Sequence, residues 1–261
     1  MNTYFKTLGL IYYKRLLRYI LPKKNKEYSP FIILSHPRSG STLLHTYLNY
    51  HPNILSLGEY LGGIIRNREC RDQVNAIELI DKKIFTSYSQ NIQSVGMKFF
   101  FQYTDYSLGR DIISLLASRQ NVRVVHLYRD NLLRNLVSLK IAENTGQYTM
   151  WKEQQKMEVE KRKIYLPIEE CKSQLVEMEE QSCHCRQLFQ NHDILPISYE
   201  SLVNHPNNAL SRVQEFLQVK THKLRSLLLK QNPEPLTELI SNYDEIKQAL
   251  ASTKWAKMVK E

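Results

Sequence analysis

Several kinds of segment are missing from this 261-residue chain. No uninterrupted apolar run reaches the 18–20 or so residues that span a bilayer. The most apolar N-terminal stretch, Tyr4 to Leu21, is broken by Lys6, Lys14, Arg15 and Arg18, which excludes a membrane span there. No small-residue cleavage site follows it, so it does not read as a signal peptide. No internal repeat, low-complexity tract or Pro/Gly/Ser-rich linker divides the rest, and a single domain over residues 27–261 is expected. Cysteine is scarce: Cys70, Cys171, Cys183 and Cys185 make no disulfide framework in a chain of this length. They fit a reducing, cytoplasmic setting. Cys183-His184-Cys185 sets its ligands too close for one tetrahedral zinc site, with no second Cys/His pair nearby, so no metal is expected.

Acidic residues are missing from residues 1–26, which hold Lys6, Lys14, Arg15, Arg18, Lys23, Lys24 and Lys26. The chain carries a net +10, and this leader accounts for most of it. Phe5, Leu8, Tyr12, Leu16 and Ile20 recur at helical spacing, so the leader reads as a basic amphipathic helix. Such a helix either makes peripheral contact with an anionic membrane or packs on the domain. The near-neutral body gives no reason to expect nucleic acid.

What is present alternates between strand and helix. Phe31-Ile-Ile-Leu34 is a short apolar run of the kind buried on both faces of a parallel sheet. Leu43, Leu44, Tyr47 and Leu48 follow at helical spacing until His51-Pro52. Residues 53–90 read as loops and short helices. Further strands are expected over Ser94 to Phe101, Val122 to Tyr128 and Ile194 to Tyr199. Helices are expected over Ile112 to Leu116, Leu132 to Glu143, Ile168 to Phe189 and Leu210 to Leu217. The class is α/β: a P-loop-like three-layer sandwich with a central, mainly parallel sheet flanked by helices.

The sharpest feature is Pro37-Arg-Ser-Gly-Ser-Thr-Leu-Leu44, which joins the first strand to its helix. Backbone N–H groups at a helix N-terminus lack partners and carry positive partial charge, so an anion sits well there. Gly40 allows close approach, Ser39, Ser41 and Thr42 add hydroxyl donors, Leu43 continues the first turn, and Arg38 places a fixed cation at the mouth. These residues make a cradle for phosphate or sulfate. It is no Walker A loop: the glycine spacing is wrong and no Lys follows Gly40, which disfavours a kinase or NTPase.

This loop resembles the 5′-phosphosulfate loop of sulfotransferases that use 3′-phosphoadenylyl sulfate (PAPS). The likeness is to the bacterial branch that sulfates Nod factors and trehalose glycolipids. Val124-Val-His-Leu-Tyr-Arg-Asp-Asn-Leu-Leu-Arg-Asn-Leu-Val-Ser138 resembles that family's 3′-phosphate motif, a strand ending in Arg and a helix bearing Ser. Ile197-Ser-Tyr-Glu-Ser-Leu-Val203, Pro206 and Phe216-Leu217 continue the likeness.

The resemblance implies PAPS as sulfuryl donor, PAP as product, no metal, and a small-molecule or glycan acceptor. It implies Arg129 and Ser138 at the 3′-phosphate, although their spacing of nine exceeds the eight of many relatives. Arg38 is expected to meet charge on the departing phosphate. Glu59, in Gly58-Glu-Tyr-Leu61, is the expected base, and Lys98 a helper near the transferring group. Residues 60–95 and 140–170 are expected to shape the acceptor pocket. A non-enzymatic basic protein would explain the leader but neither anion motif.

Overall fold

The computed structural model describes residues 24–25, 27–150, 157–226, 228 and 231–260. The helix expected from Phe5 to Ile20 lies outside the described residues. Lys24–Asn25, at the end of the basic leader, pairs antiparallel with Tyr88–Ser89.

Strand β1 (Ser29–Ser35) holds the middle of a five-stranded sheet, and Phe31 through Leu34 are essentially inaccessible. Around it lie β2 (Ile54–Ser56), β3 (Ser94–Phe100), β4 (Arg123–Tyr128) and β5 (Ile194–Ser198), in the order β2-β3-β1-β4-β5. Every neighbouring pair is parallel. Parallel strands need crossovers, and helices supply them on both faces. Helix α1 (Ser41–Tyr50) follows β1, α2 (Ser107–Ala117) precedes β4, and α3 (Leu132–Thr145) follows it. After β4 come α4 (Ile168–Leu188), α5 (Tyr199–Asn204), α6 (Pro206–Phe216) and α7 (Tyr243–Leu250).

Alternation along each strand divides the core. Ile32, Leu34, Met97, Phe99 and Val124 join Leu108, Ile112 and Leu116 of α2 in one cluster. Phe31, Ile33, Val125 and Leu127 face the other way and join Leu44 and Leu48 of α1 and Leu210 and Val213 of α6. A third cluster joins Leu133, Leu136 and Val137 of α3 to Leu236, Ile246, Leu250 and Trp255 near the chain's end. The expected three-layer α/β sandwich is the observed one.

Several boundaries differ from the reading of the sequence: α2 and α6 start before the expected Ile112 and Leu210, and Phe101 lies past the end of β3. Residues Ile54–Ser56, taken as loop, form the edge strand β2. Tyr199, taken as the end of a strand, opens α5 instead, because the Ser198 hydroxyl accepts from the Ser201 amide at 3.0 Å and caps the helix. In an open parallel sheet, ligands bind beyond the carboxyl ends of the strands. That edge gathers the loop after β1, the turn after β3, Arg129 after β4 and Tyr199 after β5.

Candidate active site

A cavity of about 800 Å³ opens at this edge. Its base is the loop between β1 and α1. Arg38 and Gly40 both take left-handed backbone angles, φ 68° and 88°. For arginine that conformation is strained by about 1–2 kcal/mol. At Gly40 a Cβ would lie 2.6 Å from the Tyr199 ring, so only glycine fits. The amides of Ser41, Thr42 and Leu43 precede the first intrahelical hydrogen bond, donated by Leu44 N–H to the Gly40 carbonyl at 3.0 Å. They are oriented donors at a helix N-terminus. Ser39 is fully buried, and its hydroxyl accepts from Asn135 Nδ2 of α3 at 2.9 Å. Ser39 therefore ties the loop to α3, and it is not among the residues that line the cavity.

On one side of the loop stand Glu59 and Lys98. The β2–β3 pairing runs on past Ser56, with Leu57 N–H donating to Gly96 O (2.7 Å) and Lys98 N–H to Gly58 O (2.9 Å). This extension carries Glu59 to the side of Lys98, and Lys98 Nζ lies 3.8 Å from Glu59 Oε2. The same ammonium donates to Thr42 Oγ1 at 3.1 Å. Lys98 is only 4% exposed. Burial, opposed by Glu59 and reinforced by Arg38 and Arg66, brings its pKa down to about 8. Glu59 Oε1 accepts from Tyr103 Oη at 2.8 Å and from Arg66 Nη2 at 2.7 Å.

On the other side stand Arg129 and Ser138. The Ser138 hydroxyl accepts from Arg38 Nε (3.1 Å) and Asn232 Nδ2 (3.3 Å). Arg38 also donates to the Tyr148 carbonyl and to Gln231 Oε1. Burial and the Arg129 charge bring its pKa down to about 10, so it stays cationic at neutral pH. The Arg129 guanidinium lies over the Tyr199 ring, 4.8 Å from its centroid, and 3.9 Å from Glu200. Its buried Nε has no hydrogen-bond partner. A buried cationic donor in that state is costly unless something accepts from it.

The cavity thus brings together Arg38, Gly40, Ser41, Thr42, Leu43, Glu59, Lys98, Arg129 and Ser138. Reading the sequence missed Arg66, Tyr103, Gln231 and Asn232, whose roles come from contacts between distant segments. His45 also lines the cavity. Its Nδ1 shares a hydrogen bond with Ser56 Oγ at 2.8 Å, and burial followed by the Lys98 charge brings its pKa down to about 3. It is a neutral imidazole with little basicity. Among the described residues, no group of three His, Cys, Asp or Glu side chains is placed to hold a metal ion.

A family model described as the Sulfotransferase family matches residues 30–223. The chain belongs to the sulfotransferase family. This sulfotransferase is 27% identical to Nodulation protein H of Rhizobium tropici over 239 residues, covering 87% of this chain and 92% of the relative. It is 25% identical to Nodulation protein H of Rhizobium meliloti strain 1021 over 236 residues, covering 87% and 94%. Among solved structures, the sulfotransferase domain from the curacin biosynthetic pathway matches with a TM-score of 0.43 and 17% identity, over 75% of each chain. The family match takes in the loop at residues 37–44 and the Arg129 and Ser138 segment, the two motifs that carried the resemblance.

Proposed function

We propose that this sulfotransferase moves a sulfuryl group from PAPS to a hydroxyl or amine of a carbohydrate or small-metabolite acceptor. One observation carries the reading: a single cavity is lined both by the start of α1 with Lys98 and by Arg129 with Ser138. The helix N-terminus at Ser41–Leu43, with Lys98, suits a 5′-phosphosulfate. Arg129 and Ser138 suit a separate 3′-phosphate, and Arg129 Nε, which has no hydrogen-bond partner, is a donor such a group would satisfy. The likeness of Pro37–Leu44 to loops that serve Nod-factor and glycolipid sulfation, and the similarity to Nodulation protein H, support a sugar hydroxyl as acceptor.

In this reading Glu59 takes the acceptor proton while an acceptor lone pair forms the new bond to sulfur. The bond from sulfur to the phosphate oxygen breaks with its electron pair, and PAP leaves. Lys98 and the loop amides meet the charge that grows on that oxygen, the kind of fixed electrostatics that dominates such transfers. Arg38 places a further fixed charge at the loop mouth and, through Ser138, ties the two anion positions together.

PAP and AMP differ only in the 3′-phosphate, so comparing them isolates its site. PAP is expected to raise the melting temperature clearly more than AMP, a hundredfold affinity ratio being worth about 2.7 kcal/mol at saturation. Arg129→Ala should remove that advantage and leave the AMP response intact. Acceptor-dependent release of PAP from PAPS is then scored against chito-oligosaccharides, trehalose and small amines. Equal shifts from PAP and AMP would refute the second anion position.

A further inference from the structure

The two oxygens of Glu59 stand in different surroundings. Oε1 accepts two strong donors, the Tyr103 phenol at 2.8 Å and the Arg66 guanidinium at 2.7 Å. Oε2 faces the cavity, with Lys98 Nζ 3.8 Å away, and that ammonium also holds Thr42 at the cradle. We infer that Tyr103 and Arg66 are positioning residues, which occupy Oε1 so that Oε2 alone takes the acceptor proton. The inference rests on Glu59 being the base.

The local structure is arranged around this contact. Tyr103 is fully buried in the short turn Phe101–Asp105 that follows β3, the strand bearing Lys98. A Cβ at Gly109 would lie 1.8 Å from the Tyr103 carbonyl, so α2 packs flush against the turn and fixes it. A Cβ at Gly62 would lie 2.6 Å from the phenol oxygen and 2.7 Å from Glu59 Oε1. Glycine there leaves the space in which the bond forms. Arg66 closes the group, its guanidinium 5.5 Å from the Tyr103 ring centroid while it holds Oε1. Burial, and then the Glu59 charge, hold the phenol far above its ordinary pKa, so Tyr103 remains a neutral donor at any working pH.

A carboxylate free to rotate presents either oxygen, and much of its time is spent out of line with the acceptor. Two donors on one oxygen remove that freedom, a pre-organisation realised before the acceptor arrives. The proton leaves the acceptor oxygen for Oε2 as the new S–O bond forms, and it is lost to water after PAP and product depart.

The test is a double-mutant cycle on acceptor-dependent PAP release, using the most active acceptor of the panel above. Tyr103→Phe keeps the ring and removes only the hydroxyl. It is expected to lower kcat by about 10- to 100-fold, the worth of a hydrogen bond to a charged group, with acceptor KM and the PAP melting shift retained. In a Glu59→Gln background the same change should alter kcat less than about twofold, because the group it acts through is gone. An equal factor in both backgrounds, or no loss in the native one, overturns the inference. Arg66→Gln, at a half-exposed position, runs through the same cycle should Tyr103→Phe lose the PAP shift, and Arg66→Lys should restore part of the rate. Native activity in Glu59→Gln, or a panel with no acceptor, would instead defeat the reading underneath.

Discussion

Lys98 shows how far one residue's surroundings change its chemistry. A lysine in the middle of a strand is expensive unless it is paired or faces a site. Here it is both, between Thr42 and Glu59 and almost wholly buried. With its pKa down to about 8, the ammonium is charged below that value and neutral above it. If its charge assists departure of the phosphate, turnover falls as pH rises through about 8. The profile of kcat against pH should then show a basic limb near that value. Lys98→Met should lower kcat and flatten that limb, and a native profile still rising past pH 9 would contradict the role. Glu59 differs from Lys98 in how it could be found. Gly58-Glu59 is visible in the sequence only through resemblance, and its partners Tyr103 and Arg66 not even so. A tyrosine after a strand and an arginine on a short helix are common, and only the fold brings their donors to one oxygen.

At the level of elements, four of the sheet's strands were legible, the edge strand β5 among them, and the other edge strand, β2, was not. The runs at Phe31–Leu34 and Val124–Leu127 are continuous and apolar because helices cover both faces. Ile54–Ser56 is a three-residue edge strand just after His51-Pro52, too short for periodicity to register. The C-terminal wall of the cavity carried no motif at all. It is held by Arg162, which is 3% exposed and donates to both carboxylate oxygens of Glu234 at 2.8 Å. Arg162 also donates to Gln231 O and Asn232 Oδ1. The pair is a pin that presents Gln231 to Arg38 and Asn232 to Ser138. Removing one partner strands the other's charge, at a cost of about 3–5 kcal/mol. Glu234→Ala should therefore lower stability by that order in urea and, if the proposed role of Ser138 at a 3′-phosphate holds, weaken PAP more than AMP, since Asn232 holds Ser138. Unchanged PAP affinity in a folded Glu234→Ala protein would show that the wall is independent of the pin.

Across the whole molecule, the net charge is unevenly distributed along the chain. Most of the basic excess sits in residues 1–26, whereas the buried clusters named above are built from later residues of the sheet and its helices. Lys24–Asn25 nonetheless pairs with Tyr88–Ser89, so the leader meets the domain at its last residues. Deletion of residues 1–23 removes none of the residues that make that pairing or line the cavity as described. The truncated protein is expected to keep its PAP melting shift and its turnover of a soluble acceptor. It should lose whatever binding the full chain shows to vesicles containing anionic lipid. A truncated protein that unfolds would mean that the leader completes the core.

The contact between Arg38 and Gln231 joins positions 193 residues apart. Contacts so distant in sequence form late, because their loop-closure entropy is met before they return any stabilisation. Both residues line the cavity, whereas the pairing of β1 with β3 and β4 involves neither of them. As the chain emerges from synthesis, the sheet can therefore assemble while its ligand site still lacks a wall. On the proposed reading, bound PAP would favour molecules whose last segment has docked over those in which it has not.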